Sequence, residues 1–320
     1  VMGGSNEEAM KLAAGPQIVP LYGTDFRSTP VYFLQDDHDH WENDSPLTYP
    51  VPWFQLQLAR TTQQLYYPEF LPDATRSSGL PYSSSSARGD LSESFGTLRY
   101  GQLLEVLLYD VRRTLSVGEL NAGFLDSNVE DWLVHRTTSR DTRHLVHVPS
   151  NPPGWTAGKW GEWYPDMLHP ETGELTTQIP KPYWQQGWLN QHDRIMQSLA
   201  DMKHRNPLVI AGDLHATGVG IMYGAGNLDF SDNPITNILC GPVGTSIRGF
   251  PSVVRGVRAA PSQYLDFEEE VVPFEQHGFT LVDFEQDKIV VKLFKWDVNS
   301  QPLDAIDTLQ PYHTVELDRP

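Results

Sequence analysis

Cysteine is nearly absent. Cys240 is the only one in 320 residues, so no disulfide can close within the chain and thiolate metal clusters are excluded. Long apolar runs are missing too, and no stretch approaches the length of a membrane-spanning segment. Positive charge is scarce, with 23 Lys and Arg against 41 Asp and Glu and a formal net charge of −18. Affinity for nucleic-acid backbones comes mainly from Lys and Arg, so this deficit argues against a nucleic-acid partner, sequence-specific recognition included. It leaves room for a small anionic substrate, provided bound cations reverse the local field. No secretory signal is visible at the N-terminus. What the chain does have is a core: hydrophobic residues make up 39% of it, with 9 Trp, 13 Tyr and 13 Phe, a composition that disordered chains lack.

No internal repeat and no linker between two cores is evident, so residues 1–320 are expected to form a single domain. The run Val31-Tyr32-Phe33-Leu34 predicts a buried strand ending at Asp36. Residues 52–70 predict a helix, and the Ser-, Pro- and Gly-rich stretch 71–93 a surface excursion. Further buried strands are expected over 103–109, 145–148, 207–211 and 236–240. A helix should start at Ser127, with Glu130 in its first turn. Residues 149–182, with prolines near both ends and three tryptophans between, predict a long ordered loop. The strongest helix pattern spans 184–204, with Trp188, Leu189, His192, Ile195, Met196 and Leu199 at helical spacing. Residues 279–285 and 288–296 predict a hairpin. Strands that feed helices and end in antiparallel pairs favour a layered α/β sandwich with mixed sheets.

Two of these strands end in clusters of Asp and His, where rigid scaffolds hold reactive groups. Every position from Asp36 to Asp44 except Trp41 carries a metal-competent side chain. Such a density of like charge is best offset by a cation, and carboxylates with imidazole suit Mn, Fe, Zn or Ca. An acidic solvated loop or a set of helix caps is the plainer alternative. The second cluster, Gly212-Asp213-Leu214-His215, predicts a tight turn at Gly212 with Asp213 and His215 on one side of an extended backbone. Alone it is a common polar turn; with the first cluster it makes a plausible dinuclear site. Arg112, just after Asp110, offers a fork for phosphate oxygens, or else a structural ion pair. His277 is a candidate supporting group or a turn histidine. Gly241-Pro242-Val243-Gly244-Thr245-Ser246 lacks the Lys and spacing of a Walker loop and is expected to back the site. Cys240 suits a small core position. Trp155, Trp160, Trp163 and Trp184 either wall a pocket or pack the core.

Gln35-Asp36-Asp37-His38-Asp39, Tyr109-Asp110-Val111-Arg112 and Ala211-Gly212-Asp213-Leu214-His215, in this order and spacing, resemble the motifs of PhoD-type alkaline phosphatases within the calcineurin-like metallophosphoesterase superfamily. The resemblance runs from about Pro30 to Trp296. It implies a four-layer α-β-β-α sandwich and a centre of two or more metal ions, with Fe and Ca among the candidates. By the same resemblance Asp36, Asp37 and Asp213 are metal ligands, Asn43 a further ligand, and His215 a ligand or phosphate contact. His38 would sit beside the reacting phosphoryl group, and Arg112 would bind substrate. The family's earlier Gly-Asp-x-x-Tyr motif, whose Asp bridges the metals, has no match in residues 1–35. The expectation is therefore a domain incomplete at its N-terminus and lacking its first strand or strands. Export is common in the family.

The implied activity is metal-dependent hydrolysis of a phosphate monoester or diester, with a small phosphate ester as substrate. A non-catalytic binding protein that keeps the fold with a degenerate metal site is the rival from another class. A hydrolase of another type using a single metal is a third reading.

Overall fold

Four parallel strands make the middle of the larger sheet: β2 (Leu104–Tyr109), β3 (His144–Pro149), β6 (Leu208–Ala211) and β9 (Ile235–Cys240). They are the four apolar runs expected over 103–109, 145–148, 207–211 and 236–240. Parallel strands are covered on both faces, so their sequences are near-continuous apolar runs. Antiparallel neighbours extend this unit: β1 (Phe95–Tyr100) beside β2, then β7 (Thr217–Ala225) and β10 (Leu265–Phe274) beyond β9. The short β8 (Leu228–Asp229) pairs with β7, which completes eight strands in the order β1-β2-β3-β6-β9-β7-β10 with β8 at the side. The computed structural model describes residues 28–34, 95–112 and 114–320. The acidic turn over 36–44, the helix over 52–70 and the excursion over 71–93 lie outside the described residues.

Period-two alternation sends neighbouring side chains of each strand to opposite faces. Leu145 and Val209 join Trp132 and Leu133 of helix α1 (Ser127–Thr138), and Trp188, Ile195 and Leu199 of helix α2 (Gln186–Ala200), in one core. Val146 and Leu208, next in sequence, join Ile289, Val291, Leu293 and Val315 in another. The latter four come from a three-stranded antiparallel sheet, β11 (Gly278–Phe284), β12 (Lys288–Lys295) and β13 (His313–Asp318). Helices, large sheet and small sheet thus form successive layers among the described residues, a mixed α/β sandwich.

Helix α1 begins one residue beyond its cap, with the Asp126 carboxylate accepting from the Asn128 amide at 2.9 Å; this cap stands just before the expected start at Ser127. The 149–182 connection holds only a two-residue ladder, β4 (Met167–Leu168) with β5 (Leu175–Thr176). Residues 31–34 depart from the expected strand. They are half-buried, and no strand among the described residues includes them; β-branched and aromatic propensity by itself is too weak a signal to fix a strand. None of the helices among the described residues is long and apolar enough to cross a membrane.

His147 sits wholly buried between two hydroxyls, with Tyr109 Oη 3.1 Å from Nδ1 and Thr137 Oγ1 2.9 Å from Nε2. Burial pushes its pKa down to about 3. The folded state therefore keeps it neutral while the unfolded state protonates near 6.5, the ordinary histidine value. This contribution to stability is complete above that value and is lost as pH falls towards 3, by up to about 1.4 kcal/mol per pH unit. Urea midpoints measured at pH 7 and pH 5 are expected to fall for the wild type and to fall distinctly less for His147→Gln. Equal slopes in the two proteins would show that another group carries the acid sensitivity.

Candidate functional site

Because β2, β3, β6 and β9 run parallel, their C-terminal ends share one edge of the sheet, where open α/β sheets bind ligands. Asp110 and Arg112 follow β2, Ser150 follows β3, Asp213 and His215 follow β6, and Gly241 to Gly249 follow β9. Asp110 is buried, and its Oδ1 accepts from the Arg112 amide at 2.7 Å, which turns the chain so that the guanidinium crosses this edge. Arg112 then donates from Nη1 to the Ser150 carbonyl at 2.6 Å and from Nη2 to Asp213 Oδ1 at 2.8 Å.

The turn after β6 differs from the expected one. Gly212 does not take a positive φ, and a Cβ there would meet only Cys240 Sγ at 3.9 Å. The left-handed backbone falls instead on Asp213 (φ 68°) and His215 (φ 46°). The Leu214 amide donates to the Gly212 carbonyl at 2.9 Å, closing a γ-turn centred on Asp213, a strained geometry at positive φ. The two residues therefore sit on a tight left-handed turn and not on an extended strand. Strain of this kind at non-glycine residues concentrates at functional sites.

Asp213 receives a second cation, since Lys159 Nζ lies 2.9 Å from the same Oδ1. The Asp213 side chain is 0% exposed, so its charge is held by Arg112 and Lys159 rather than by water. The other oxygen, Oδ2, is buried and has no hydrogen-bond partner among the described residues. Lys159 carries no signal in the sequence, because it lies within the long loop and beside no motif or strand end that would mark it. The loop is nonetheless firmly built. Buried Glu162 accepts from the Ala157 amide at 2.7 Å and pairs with buried Lys181 at 3.4 Å. Arg255 donates to the carbonyls of Ala157 and Gly158 at 3.0 and 2.7 Å. Gly158 takes φ +70°, and a Cβ there would lie 2.9 Å from Leu175 Cδ2, so only glycine makes the turn that aims Lys159.

His215 faces the connection after β9. Its Nδ1 is 2.7 Å from the Gly249 carbonyl and 3.2 Å from Thr245 Oγ1. A carbonyl only accepts, so Nδ1 carries the proton and Nε2 keeps its lone pair. A Cβ at Gly249 would lie 3.2 Å from His215 Nδ1 and 2.2 Å from Thr245 Oγ1; glycine there permits the close approach. His277 in turn binds Thr245, its Nε2 lying 2.8 Å from the Thr245 carbonyl. The Gly241–Ser246 loop thus contacts His215, and His277 supports that loop from behind. Cys240 is half-buried rather than a core residue. Trp155, Trp160 and Trp163 are buried in the apolar cores, so they pack the loop rather than wall a pocket.

Of the residues singled out from the sequence, the structure brings Arg112 onto Asp213 and sets His215 two residues further along the same turn. Asp36, Asp37, His38 and Asn43 lie outside the described residues. Among the described residues, no three His, Cys, Asp or Glu side chains converge as a metal site. What is present suits a hard divalent cation: an unpartnered buried carboxylate oxygen on Asp213, and an imidazole whose other nitrogen is fixed by a carbonyl.

No protein-family model and no curated protein sequence matches the chain. Among solved structures, the chain is similar to that of PhoD, with a TM-score of 0.54 and 12% sequence identity, over 89% of this chain and 52% of that one. The chain thus spans about half the length of the solved structure it matches. The shared feature is the fold.

Proposed function

We propose that this single domain hydrolyses phosphate monoesters or diesters with the help of bound metal ions. The observation that carries this reading is the convergence of Arg112 and Lys159 on Asp213 at the C-terminal edge of the parallel strands, with Asp213 Oδ2 left open. The fold it shares with PhoD supports it. Asp213 and His215 would hold a cation, with Asp36, Asp37 and Asn43 as the further ligands and Fe, Ca, Mn or Zn as the candidates. The cation would act as a Lewis acid on a phosphoryl oxygen and generate the nucleophile at neutral pH.

The protein's own groups have separable tasks. Arg112, locked by Ser150 and Asp213, neutralises the equatorial oxygens as charge builds on them. Lys159 adds a second positive charge from another chain segment, which an enzyme of net charge −18 needs to draw an anion in. His38 would give the leaving alkoxide its proton; His215 would do so through Nε2 only as the alternative to holding a cation there.

The test is metal-dependent release of nitrophenol from mono- and bis-nitrophenyl phosphate. Arg112→Ala and Lys159→Ala are each expected to lower kcat/KM by on the order of a hundredfold. A second reading is that the protein binds phosphate esters without turning them over, because Asp213 already has two cationic partners that hold it in place. Saturable binding of inorganic phosphate without nitrophenol release, at any of the four metals, would establish that reading instead.

A further inference from the structure

The connection that follows β9 departs from the rest of the chain in charge and exposure. The protein carries 41 acidic residues against 23 basic ones, yet residues 233–265 contain no Asp or Glu and include Arg248, Arg255 and Arg258. Arg255 is turned inward onto the loop carbonyls, whereas Arg248 and Arg258 are exposed. Between and beside them stand large aliphatic side chains in solvent: Val243 (76% exposed), Ile247 (60%), Val253 (55%) and Val254 (63%). Isolated exposed aliphatics are ordinary, but four fall here within twelve residues of sequence. The segment is not loose. Ser252 donates its amide to the Glu275 carboxylate at 2.8 Å, the Arg255 amide closes on the Pro251 carbonyl at 2.8 Å, and the Gly249 carbonyl holds His215.

We propose that this connection docks the protein onto an anionic lipid bilayer. Aliphatic side chains would enter the headgroup boundary while the flanking arginines meet lipid phosphates, the combination that interfacial protein segments use. Charge complementarity selects this occupant. In a chain of net charge −18, the stretch 233–265 supplies no carboxylate of its own and Glu275, which reaches it, is bound to Ser252, so an orientation that presents Arg248 and Arg258 is the one an anionic surface favours. That orientation sets Gly249, and through it His215, next to the bilayer. The substrate is then a phosphate ester presented at the lipid surface; this last step rests on the hydrolase reading, while the docking does not.

Vesicle co-sedimentation of the full chain tests it, with phosphatidylcholine alone and with phosphatidylcholine containing a third phosphatidylglycerol. The expected result is binding to the anionic vesicles only, weakened by added salt. Arg248→Glu/Arg258→Glu and Val253→Ser/Val254→Ser should each reduce the bound fraction, the charge-reversed pair by at least on the order of tenfold. Both pairs are exposed, and hydrolysis of soluble bis-nitrophenyl phosphate should be unchanged in them. No binding to anionic vesicles, or binding that ignores both pairs, overturns the docking. A rise in KM for the soluble ester in the valine pair, without vesicle binding, would instead assign the patch to the substrate's leaving group and also overturn it. If vesicles bind and no ester is cleaved by the wild type, the hydrolase reading falls and the docking stands.

Discussion

Asp213→Asn should reduce nitrophenyl-ester hydrolysis by at least about a thousandfold, with the loss in kcat rather than in KM. The reason lies in the two oxygens. Oδ1 is taken by Arg112 and Lys159, while Oδ2 is buried and open. Asparagine keeps the volume and one acceptor, but it removes the charge that a cation needs and that holds the two basic groups at 2.8 and 2.9 Å. Losses of two to three orders of magnitude are usual when a single preorganised electrostatic contact is removed, and here a proposed ligand goes with it. Asp213→Ala adds a stability cost, since Arg112 and Lys159 then lose the buried carboxylate they share. A fall in Tm of several degrees is expected for Ala and a smaller one for Asn. Full activity in a folded Asp213→Asn variant would remove the basis of the hydrolase reading. A thermal shift with inorganic phosphate larger in Asp213→Asn than in the wild type would show that Arg112 and Lys159 had been freed for an anion.

Glu105→Ala should destabilise the fold strongly while sparing the chemistry. Glu105 sits on β2 with its side chain 0% exposed, and Arg136 of α1 approaches it from Nε at 2.9 Å and from Nη2 at 2.5 Å. Thr97 on β1 donates to the same carboxylate at 2.9 Å. Removing the acid leaves Arg136 with Asp141 alone, whose side chain is 40% exposed, and strands the Thr97 hydroxyl. Breaking a buried pair on one side costs about 3–5 kcal/mol, which corresponds to a fall in Tm of roughly 10 °C in a domain this large. Glu105→Leu combined with Arg136→Met should recover most of the loss, because an apolar pair in the same volume leaves no charge uncompensated. The pair ties α1 to the far end of the strands from the site, so nitrophenyl-ester turnover at a permissive temperature should survive both variants. A loss below about 1 kcal/mol in Glu105→Ala would mean that water reaches Arg136.

Legibility in the sequence depends on the kind of pattern each element leaves. The β2, β3, β6 and β9 strands are legible because parallel strands are buried on both faces and their apolar runs are unbroken. Helix α2 is legible because one face of it carries Trp188, Ile195 and Leu199 in register. β7, with Gly218, Gly220 and Gly224, and β10, with Asp266, Glu268, Glu269 and Glu270, leave no such pattern. Both owe their conformation to mutual pairing, and their compositions, glycine in one and carboxylates at a sheet edge in the other, hide strand propensity. In the site, Arg112, Asp213 and His215 are legible because they directly follow recognisable strands.

By itself, then, the sequence determined which segments are buried, that the chain builds a layered α/β sandwich, and which strand ends carry Asp, Arg and His, since these follow from local periodicity and from residue type. Only the tertiary structure decided what those ends do to one another. The left-handed turn falls on Asp213 and His215 and not on Gly212, because Asp213 is drawn towards Arg112 and Lys159 while His215 is drawn to Gly249. Lys159 enters because a loop held by Glu162, Lys181 and Arg255 returns across the edge of the sheet. Contacts between residues far apart in the chain leave no local signature. They arise from packing, and the charge arrangement at this edge is their product.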